Sequence, residues 1–181
     1  MANDKLGRPT DQRIAVLRGQ VSGLFKNGRI ETTYAKAKAV QAKAEKILTL
    51  AINSYQDNVK VTKTVLEKGV KVSKEIVNDG PKKLAARRKI MAFLYDLKDE
   101  RKEKESLDAY KARTKGINHP LVERIFNVYA PKYAQRAQEL GTKGGYTRVL
   151  KTSTRRGDAS QLAIVAVSYT HLRAHETLRH L

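Results

Sequence analysis

Residues 142–158 read Thr-Lys-Gly-Gly-Tyr-Thr-Arg-Val-Leu-Lys-Thr-Ser-Thr-Arg-Arg-Gly-Asp: two adjacent glycines, then strand formers, with five basic residues before the first acid, Asp158. Gly144 and Gly145 have no Cβ, so the backbone can turn there with positive φ and come close to a ligand. Tyr146, Thr147, Val149 and Leu150 favour an extended strand. Alternation puts Tyr146, Arg148 and Leu150 on one side and Thr147, Val149 and Lys151 on the other. Neither side is purely apolar, so one end of the strand is expected to reach solvent or a polyanion. The segment 152–157 is polar, basic and loop-like, and Arg155 and Arg156 bring planar guanidinium forks suited to phosphate. Lys143, Gly144, Gly145, Tyr146, Arg148, Lys151, Arg155 and Arg156 are therefore candidate contacts to a polyanion.

Other chemistries fit this stretch less well. A glycine turn beside a strand can cradle a nucleotide phosphate, but neither the GxxxxGK[ST] pattern nor a strand followed by GxGxxG is present. Arg156-Gly157-Asp158 spells a cell-adhesion triplet, which a chain this rich in arginine produces by chance. The plainest alternative is a solvated basic loop without a partner.

The totals point the same way. The chain has 181 residues, enough for one domain with a sizeable core. It carries 37 Lys and Arg against 18 Asp and Glu, a formal net charge of +19. Self-repulsion on that scale contributes nothing to folding, and a polyanionic partner is the economical explanation. The absence of cysteine excludes disulfides, zinc-thiolate sites and thiol catalysis. No apolar run is long enough to span a membrane and the N-terminus lacks the apolar core of a signal peptide, so a cytosolic protein is expected. Residues 1–51 carry ten bases and four acids, whereas residues 57–80 carry five and four, so polyanion contact should use the domain body first.

Working outward along the chain, residues 1–9 lack apolar periodicity and read as a basic arm, with Lys5 and Arg8, that orders on binding. Residues 10–167 read as a single domain. Thr10 offers an N-cap, and Ile14, Leu17, Val21, Leu24 and Phe25 repeat at helical spacing until Asn27-Gly28 stops the helix. Arg13 and Arg18 lie on its polar side. Arg29 to Thr33 is a short strand. A helix from Tyr34 to about Asn53 follows, with an apolar stripe of Tyr34, Ala37, Val40, Ala44, Ile47, Leu48 and Ala51 and with Lys36 and Lys38 on its polar side. The period changes to two over 58–77, giving a β-hairpin that turns at Glu67-Lys68-Gly69 and, with its exits, forms an insertion over 57–80.

Pro81 opens a further helix carrying Arg87 and Arg88, with Leu84, Met91, Leu94 and Tyr95 along it. Residues 99–118 are highly charged with mixed sign and read as an exposed loop. Pro120 starts a helix with an apolar face of Leu121, Val122, Ile125, Phe126 and Tyr129, which Pro131 breaks or restarts. Leu162 to Val167 is an apolar run suited to a strand buried on both faces or covered by helices. Residues 168–181 carry three of the four histidines and no lysine, and read as a non-native tail. His171 and His175 have metal-ligand spacing on a helix but no acidic or cysteine support.

Several blocks then combine. Lys5-Leu6-Gly7-Arg8, Gly28-Arg29-Ile30-Glu31-Thr32-Thr33 followed by Ala35-Lys36-Ala37-Lys38, and Ala86-Arg87-Arg88 are the first three. Phe126 with Ala130-Pro131-Lys132-Tyr133, and Gly144-Gly145-Tyr146-Thr147-Arg148 with Arg156-Gly157-Asp158, complete the set. In this order, over residues 5–167, the chain resembles the bacterial large-subunit ribosomal protein number seventeen family. The resemblance implies an α+β domain in two layers, with helices on one face of a small mixed sheet. It also implies a structural, non-enzymatic role, binding 23S ribosomal RNA near the outer end of the polypeptide exit tunnel. Neighbouring large-subunit ribosomal proteins would be further partners, with no small-molecule substrate and no cofactor. Residues 57–80 and 99–118 look inserted relative to a short member of the family, although a hairpin at the first place resembles longer members; residues 168–181 resemble nothing in it.

On this reading Lys5, Arg8, Arg13, Arg18, Arg29, Lys36, Lys38, Arg87 and Arg88 join the glycine stretch in neutralising RNA phosphates. With three Phe and no Trp, stacking on bases is a minor mode, and Tyr146 is its best candidate. The alternative is a non-specific DNA-binding or nucleoid-type protein, but a strand separates the first two helices where a helix-turn-helix needs a short turn. An enzyme fits least. The acids cluster over 99–108 instead of converging on a metal, and the domain body has a single histidine, His119; no metal site is expected.

Overall fold

The computed structural model describes residues 5–67 and 70–167, apart from the side chains at 65–67, 70–72 and 74. The hairpin turn at Lys68-Gly69 and residues 168–181, read above as a non-native tail, lie outside the described residues. The elements in order are α1 (Thr10–Asn27), β1 (Arg29–Thr33), α2 (Tyr34–Ile52), β2 (Asn58–Glu67), β3 (Val70–Asp79), α3 (Pro81–Phe93), α4 (Leu107–Thr114), α5 (Pro120–Arg124), a π-helical turn (Ile125–Tyr129), α6 (Ala130–Leu140), β4 (Thr147–Thr154) and β5 (Gln161–Val167). The class is α+β, as expected. The chain divides into two compact units, one made of Met1–Glu45 with Gln135–Leu181 and the other of Lys46–Ala134.

The first unit is built on a three-stranded sheet of order β1-β5-β4. Both pairings are antiparallel, where a mixed sheet was expected. The link between β4 and β5 is only a few residues long, and a parallel pair would need a long crossover. Along β5, Ala163, Val165 and Val167 are buried while Leu162, Ile164 and Ala166 are half-buried. The strand therefore alternates and is fully covered on one face, not on both. α1 lies on β1 and β5 and buries Leu17, Val21, Leu24 and Phe25. Gln20 tethers it to β1 by donating to Thr32 Oγ1 at 3.0 Å. α2 adds Ala37, Val40 and Ala44 to the core of this unit. Each large aliphatic side chain so buried contributes about 1.5–3 kcal/mol before the entropy of ordering it is subtracted. Ile14 stays 41% exposed, outside the stripe the spacing suggested.

The ends of α1 follow local chemistry. Pro9, with φ at −59°, takes the N-cap position, so Thr10 is the first helical residue and not the cap. At the other end Gly28 adopts φ 79° and donates its N–H to the Leu24 carbonyl at 2.8 Å. That reversal turns the chain directly into β1, where the Gly28 carbonyl accepts the Val167 N–H at 2.9 Å.

The second unit contains the β2–β3 hairpin, paired in continuous antiparallel register from Asn58↔Asp79 to Glu67↔Val70. Val59, Val61 and Val77 are exposed on it. At its base Gly80 takes the N-cap position of α3 without a side chain to offer. Asp57 supplies the missing cap from across the hairpin, its Oδ2 accepting the Lys82 N–H at 2.8 Å and the Lys83 N–H at 3.3 Å. α3 buries Ala86 and Ile90, and Leu94 follows on the same face, whereas Leu84 is at the surface. Residues 99–118 are not a loop throughout. Ser106 caps α4 by accepting the Ala109 N–H at 3.2 Å, and Arg113 on that helix reaches back to Glu105 at 3.0 Å. None of the residues of α4 is buried, so charge and capping, and not a core, hold it.

Pro131 neither breaks nor restarts the next helix. The Ala130 N–H bonds to the Ile125 carbonyl, five residues back, and this widened turn admits a proline that has no N–H to give and a ring that would strike a normal helical carbonyl.

Candidate nucleic-acid interface

The outer face of the first unit's sheet brings together two arginines from opposite ends of the chain. The register places Arg29 of β1 and Arg148 of β4 on either side of Ala166 in β5. With strands about 4.8 Å apart, the two Cα atoms stand about 10 Å from each other with only a methyl group between. Both side chains are exposed, and among the described residues neither forms an ion pair. In the next row Ile164 lies between Glu31 and Leu150, and Leu150 is 50% exposed. The face therefore offers two guanidinium groups beside a row in which the exposed carboxylate Glu31 precedes Ile164 and Leu150.

The glycine stretch enters this sheet through a braced turn. Gly144 and Gly145 have φ of 94° and 62°, the left-handed conformations that the missing Cβ permits. Arg136 of α6 donates from Nη2 to the Gly144 carbonyl and from Nη1 to the Gly145 carbonyl, the latter at 3.3 Å. Its guanidinium also lies 5.7 Å from the centroid of the Tyr146 ring. Tyr146 is 5% exposed, so its ring is packed into the unit and is not displayed for stacking on a base.

β4 then begins at Thr147, which α2 holds on two sides. The Thr147 N–H and its hydroxyl both donate to Glu45 Oε1 at 2.7 Å, and its carbonyl accepts from Gln41 Nε2 at 3.2 Å. The strand continues past Lys151, through an irregularity, to Thr154, whereas the polar composition suggested a loop from Thr152.

In the loop after β4, Asp158 is bonded by Arg155 Nε at 2.8 Å and by the Ser160 hydroxyl at 2.7 Å. The hydrogen bond from Arg155, followed by those from Ser160, holds the Asp158 carboxyl far below the usual carboxylate range. Arg155 is thus occupied within its own loop, while Arg156 is exposed. Lys151 lies 4.7 Å and Lys38 5.7 Å from the centroid of the Tyr34 ring, so two cations share one aromatic ring.

The remaining candidates fall in different surroundings. Lys5, Arg8 and Lys143 are exposed; Arg13, Arg18 and Lys36 are half-buried. Arg87 and Arg88 belong to the second unit. Arg88 is exposed, but Arg87 is enclosed by Asp79 and Glu123 and lies 5.1 Å from the centroid of the Phe126 ring. Burial alone would lower the Arg87 pKa and raise that of Asp79. The hydrogen bonds linking Arg87 to Asp79 and Glu123, and Lys83 to Asp79, more than offset this, leaving Arg87 raised and Asp79 lowered. Arg87 therefore acts inside its unit as an organising cation and is not presented to a phosphate.

Arg136, Glu45 and Gln41 shape the site yet carried no signal in the sequence. Each sits on the polar side of a helix and differs from its solvated neighbours only in what the fold sets against it. His119 accompanies Asp96 at 3.3 Å in the second unit. No group of three or more His, Cys, Asp or Glu among the described residues is placed to hold a metal ion. No helix among them is long and apolar enough to cross a membrane.

The family model for ribosomal protein L17 matches residues 16–168. The chain belongs to the ribosomal protein L17 family. The L17 match covers β1, β4 and β5, and so the whole Arg29–Ala166–Arg148 row. The large ribosomal subunit protein bL17 of Acetivibrio thermocellus is 37% identical, over 91% of this chain and 97% of its own length. The protein of the same name from Lachnospira eligens is 37% identical, over 86% and 93%. That from Clostridium tetani is 35% identical, over 89% and 93%. As a member of the L17 family the chain is a structural ribosomal component and not an enzyme.

Proposed function

We propose that this chain is a structural constituent of the large subunit of the cytoplasmic ribosome, where it binds 23S ribosomal RNA near the end of the polypeptide exit tunnel and stabilises the RNA fold. Neighbouring large-subunit proteins complete its surroundings. The observation that carries the reading is the row Arg29–Ala166–Arg148, two exposed guanidinium groups fixed on a rigid sheet in a chain with a net charge of +19. Arginine forks held at a set spacing engage phosphates of a folded RNA with geometry as well as charge. Lys143 and Arg156, both exposed, extend the positive surface from the two ends of β4. The N-terminal segment adds two exposed cations, Lys5 and Arg8, in a turn closed by the Arg8 N–H on the Lys5 carbonyl at 3.1 Å. Phosphate contacts of this kind position RNA and release counterions, and family membership supports the ribosome as the place where they are used.

The test is salt-dependent binding of the full chain to fragments of 23S ribosomal RNA, with random duplex DNA and an unrelated structured RNA as competitors. A fragment-selective complex that survives excess competitor is expected. Equal affinity for all three would replace this reading with non-specific polyanion binding, including the DNA-binding alternative.

A further inference from the structure

We propose that the β2–β3 hairpin is a second RNA-binding arm, which grips the phosphate backbone with lysines and hydroxyls and reads no bases. The inference rests on the RNA-binding reading above and adds to it a surface that belongs to the second unit.

Over residues 57–80 five bases and four acids nearly cancel, but the fold withdraws two of those acids from the shaft. Asp57 is turned onto the first turn of α3, where it accepts the Lys82 and Lys83 N–H groups. Asp79 is held by Lys83 at 3.0 Å and by Arg87. Between Asn58 and Asn78 there remain five lysines against two glutamates, Glu67 and Glu75. A segment that reads as nearly neutral in the sequence is therefore a cationic shaft, standing on a base whose acids are already engaged.

The shaft is presented to solvent. Residues 58–64, Ser73, Glu75 and Val77 are all exposed, and its two strands of 10 residues each extend about 33 Å. A two-stranded ribbon is marginal by itself in water, so this one gains from a surface to lie on. Lys60, Thr62, Thr64 and Ser73 share one face by alternation and register, while on the other the register sets Lys63 directly opposite Lys74. Like charges placed so destabilise a free hairpin, and a phosphate between them offsets the repulsion. Lys60 and Lys63 form no ion pair among the described residues.

An RNA backbone fits this surface better than a base or a protein does. Residues 58–79 contain no aromatic ring on which a base could stack and no arginine to fork onto a base edge. Lysine meets phosphate as a point charge without a set geometry, and threonine and serine hydroxyls donate to phosphate and sugar oxygens. The exposed valines are divided between the faces, Val59 and Val61 on one and Val77 on the other, so among the described residues they form no single apolar patch for a protein partner. The arm is also firmly rooted. Lys83 donates to Asn58 Oδ1 at 2.7 Å and the Gly80 N–H to the Asp57 carbonyl at 2.8 Å, while Asp57 and Asp79 tie the start and the end of the hairpin to α3.

The test uses the full chain and complete, protein-free 23S ribosomal RNA, so that no contact is lost through the choice of a fragment. Each lysine bound to phosphate contributes about one unit to the slope of log affinity against log salt. The double variant Lys60→Ala/Lys63→Ala is expected to lower the slope by about two units, while its urea midpoint stays the same or rises because the like-charge pair is gone. An unchanged slope would overturn the proposal and leave the hairpin to a protein neighbour. A second measurement removes no contact. The chain has no cysteine, so Thr64→Cys gives a single attachment point on the exposed shaft for iron-EDTA, whose hydroxyl radicals cut nearby RNA. Cuts confined to one region of the 23S RNA are expected; cleavage no more localised than that by untethered iron-EDTA would also overturn the proposal. If the unaltered chain does not bind 23S RNA in preference to duplex DNA, the RNA-binding reading itself fails.

Discussion

Glu45 of α2 accepts two hydrogen bonds from Thr147, one from its backbone N–H and one from its hydroxyl, both at 2.7 Å. Thr147 is 5% exposed, so this single carboxylate oxygen satisfies two polar groups that the sheet leaves buried at the start of β4. Glu45→Ala should therefore cost about 1–3 kcal/mol, the desolvation penalty of unsatisfied buried donors. Urea unfolding measures the loss. Hydrogen exchange of the Thr147 amide localises it, since that proton should exchange faster in the variant while those of β5 remain protected. An unchanged Thr147 exchange rate would mean that the contact does not hold β4.

At the base of the hairpin, Gly80 and Asp57 form a matched pair. A Cβ built on Gly80 would stand 2.4 Å from the Asp57 carboxyl carbon, so Gly80→Ala must displace the group that caps α3. Asp57→Ala is expected to cost about 1 kcal/mol, as loss of an N-cap does. Gly80→Ala should cost more by itself, and less when Asp57 is already alanine, because the steric conflict is then gone. Thermal melts of the two single variants and the double variant decide this; strictly additive losses would refute the coupling.

The ion cluster of the second unit predicts acid sensitivity. Asp79 is held below its ordinary value near 3.9 by Arg87 and Lys83, against the opposing effect of burial. A carboxylate with a depressed folded pKa contributes stability that is complete above its unfolded pKa and is lost as pH falls through the folded value. Asp79→Asn should thus be destabilising at pH 7, and the gap between variant and unaltered protein should narrow below about pH 4. Urea midpoints measured from pH 7 to pH 3 test the sign, and a gap that widened on acidification would contradict it.

Binding to RNA should distinguish the two kinds of arginine. Arg29→Ala and Arg148→Ala each remove an exposed cation from the sheet face, and each should lower the salt slope of RNA binding by about one unit with little effect on folding. Arg87→Ala should leave the slope unchanged and instead lower the stability of its unit by about 1–3 kcal/mol, since it removes the ion-pair partner of Glu123 and one of the two cations that Asp79 holds. A slope reduced by Arg87→Ala alone would reverse this assignment.

What could be read from the chain itself was whatever local chemistry settles. The stripe through Ala37, Val40, Ala44, Ile47, Leu48 and Ala51 is buried in α2 because helical spacing puts those side chains on one face, while Tyr34 at its start is only half-buried. The limits of β1, the hairpin strands and the positive φ of Gly144 and Gly145 followed from β-branching, alternation and the missing Cβ in the same way. Tertiary structure decided the fate of side chains that local rules leave open. It buried Tyr146, enclosed Arg87 and let Asp57 cap a helix 25 residues away. It also set Glu45 against Thr147 across 102 residues and brought Arg29 and Arg148 to the two flanks of Ala166. The physical reason is that periodicity fixes only the direction of a side chain from its own backbone. Whether a charge there meets solvent, a carboxylate or a carbonyl depends on what the rest of the chain places opposite, and only the folded sheet supplies that.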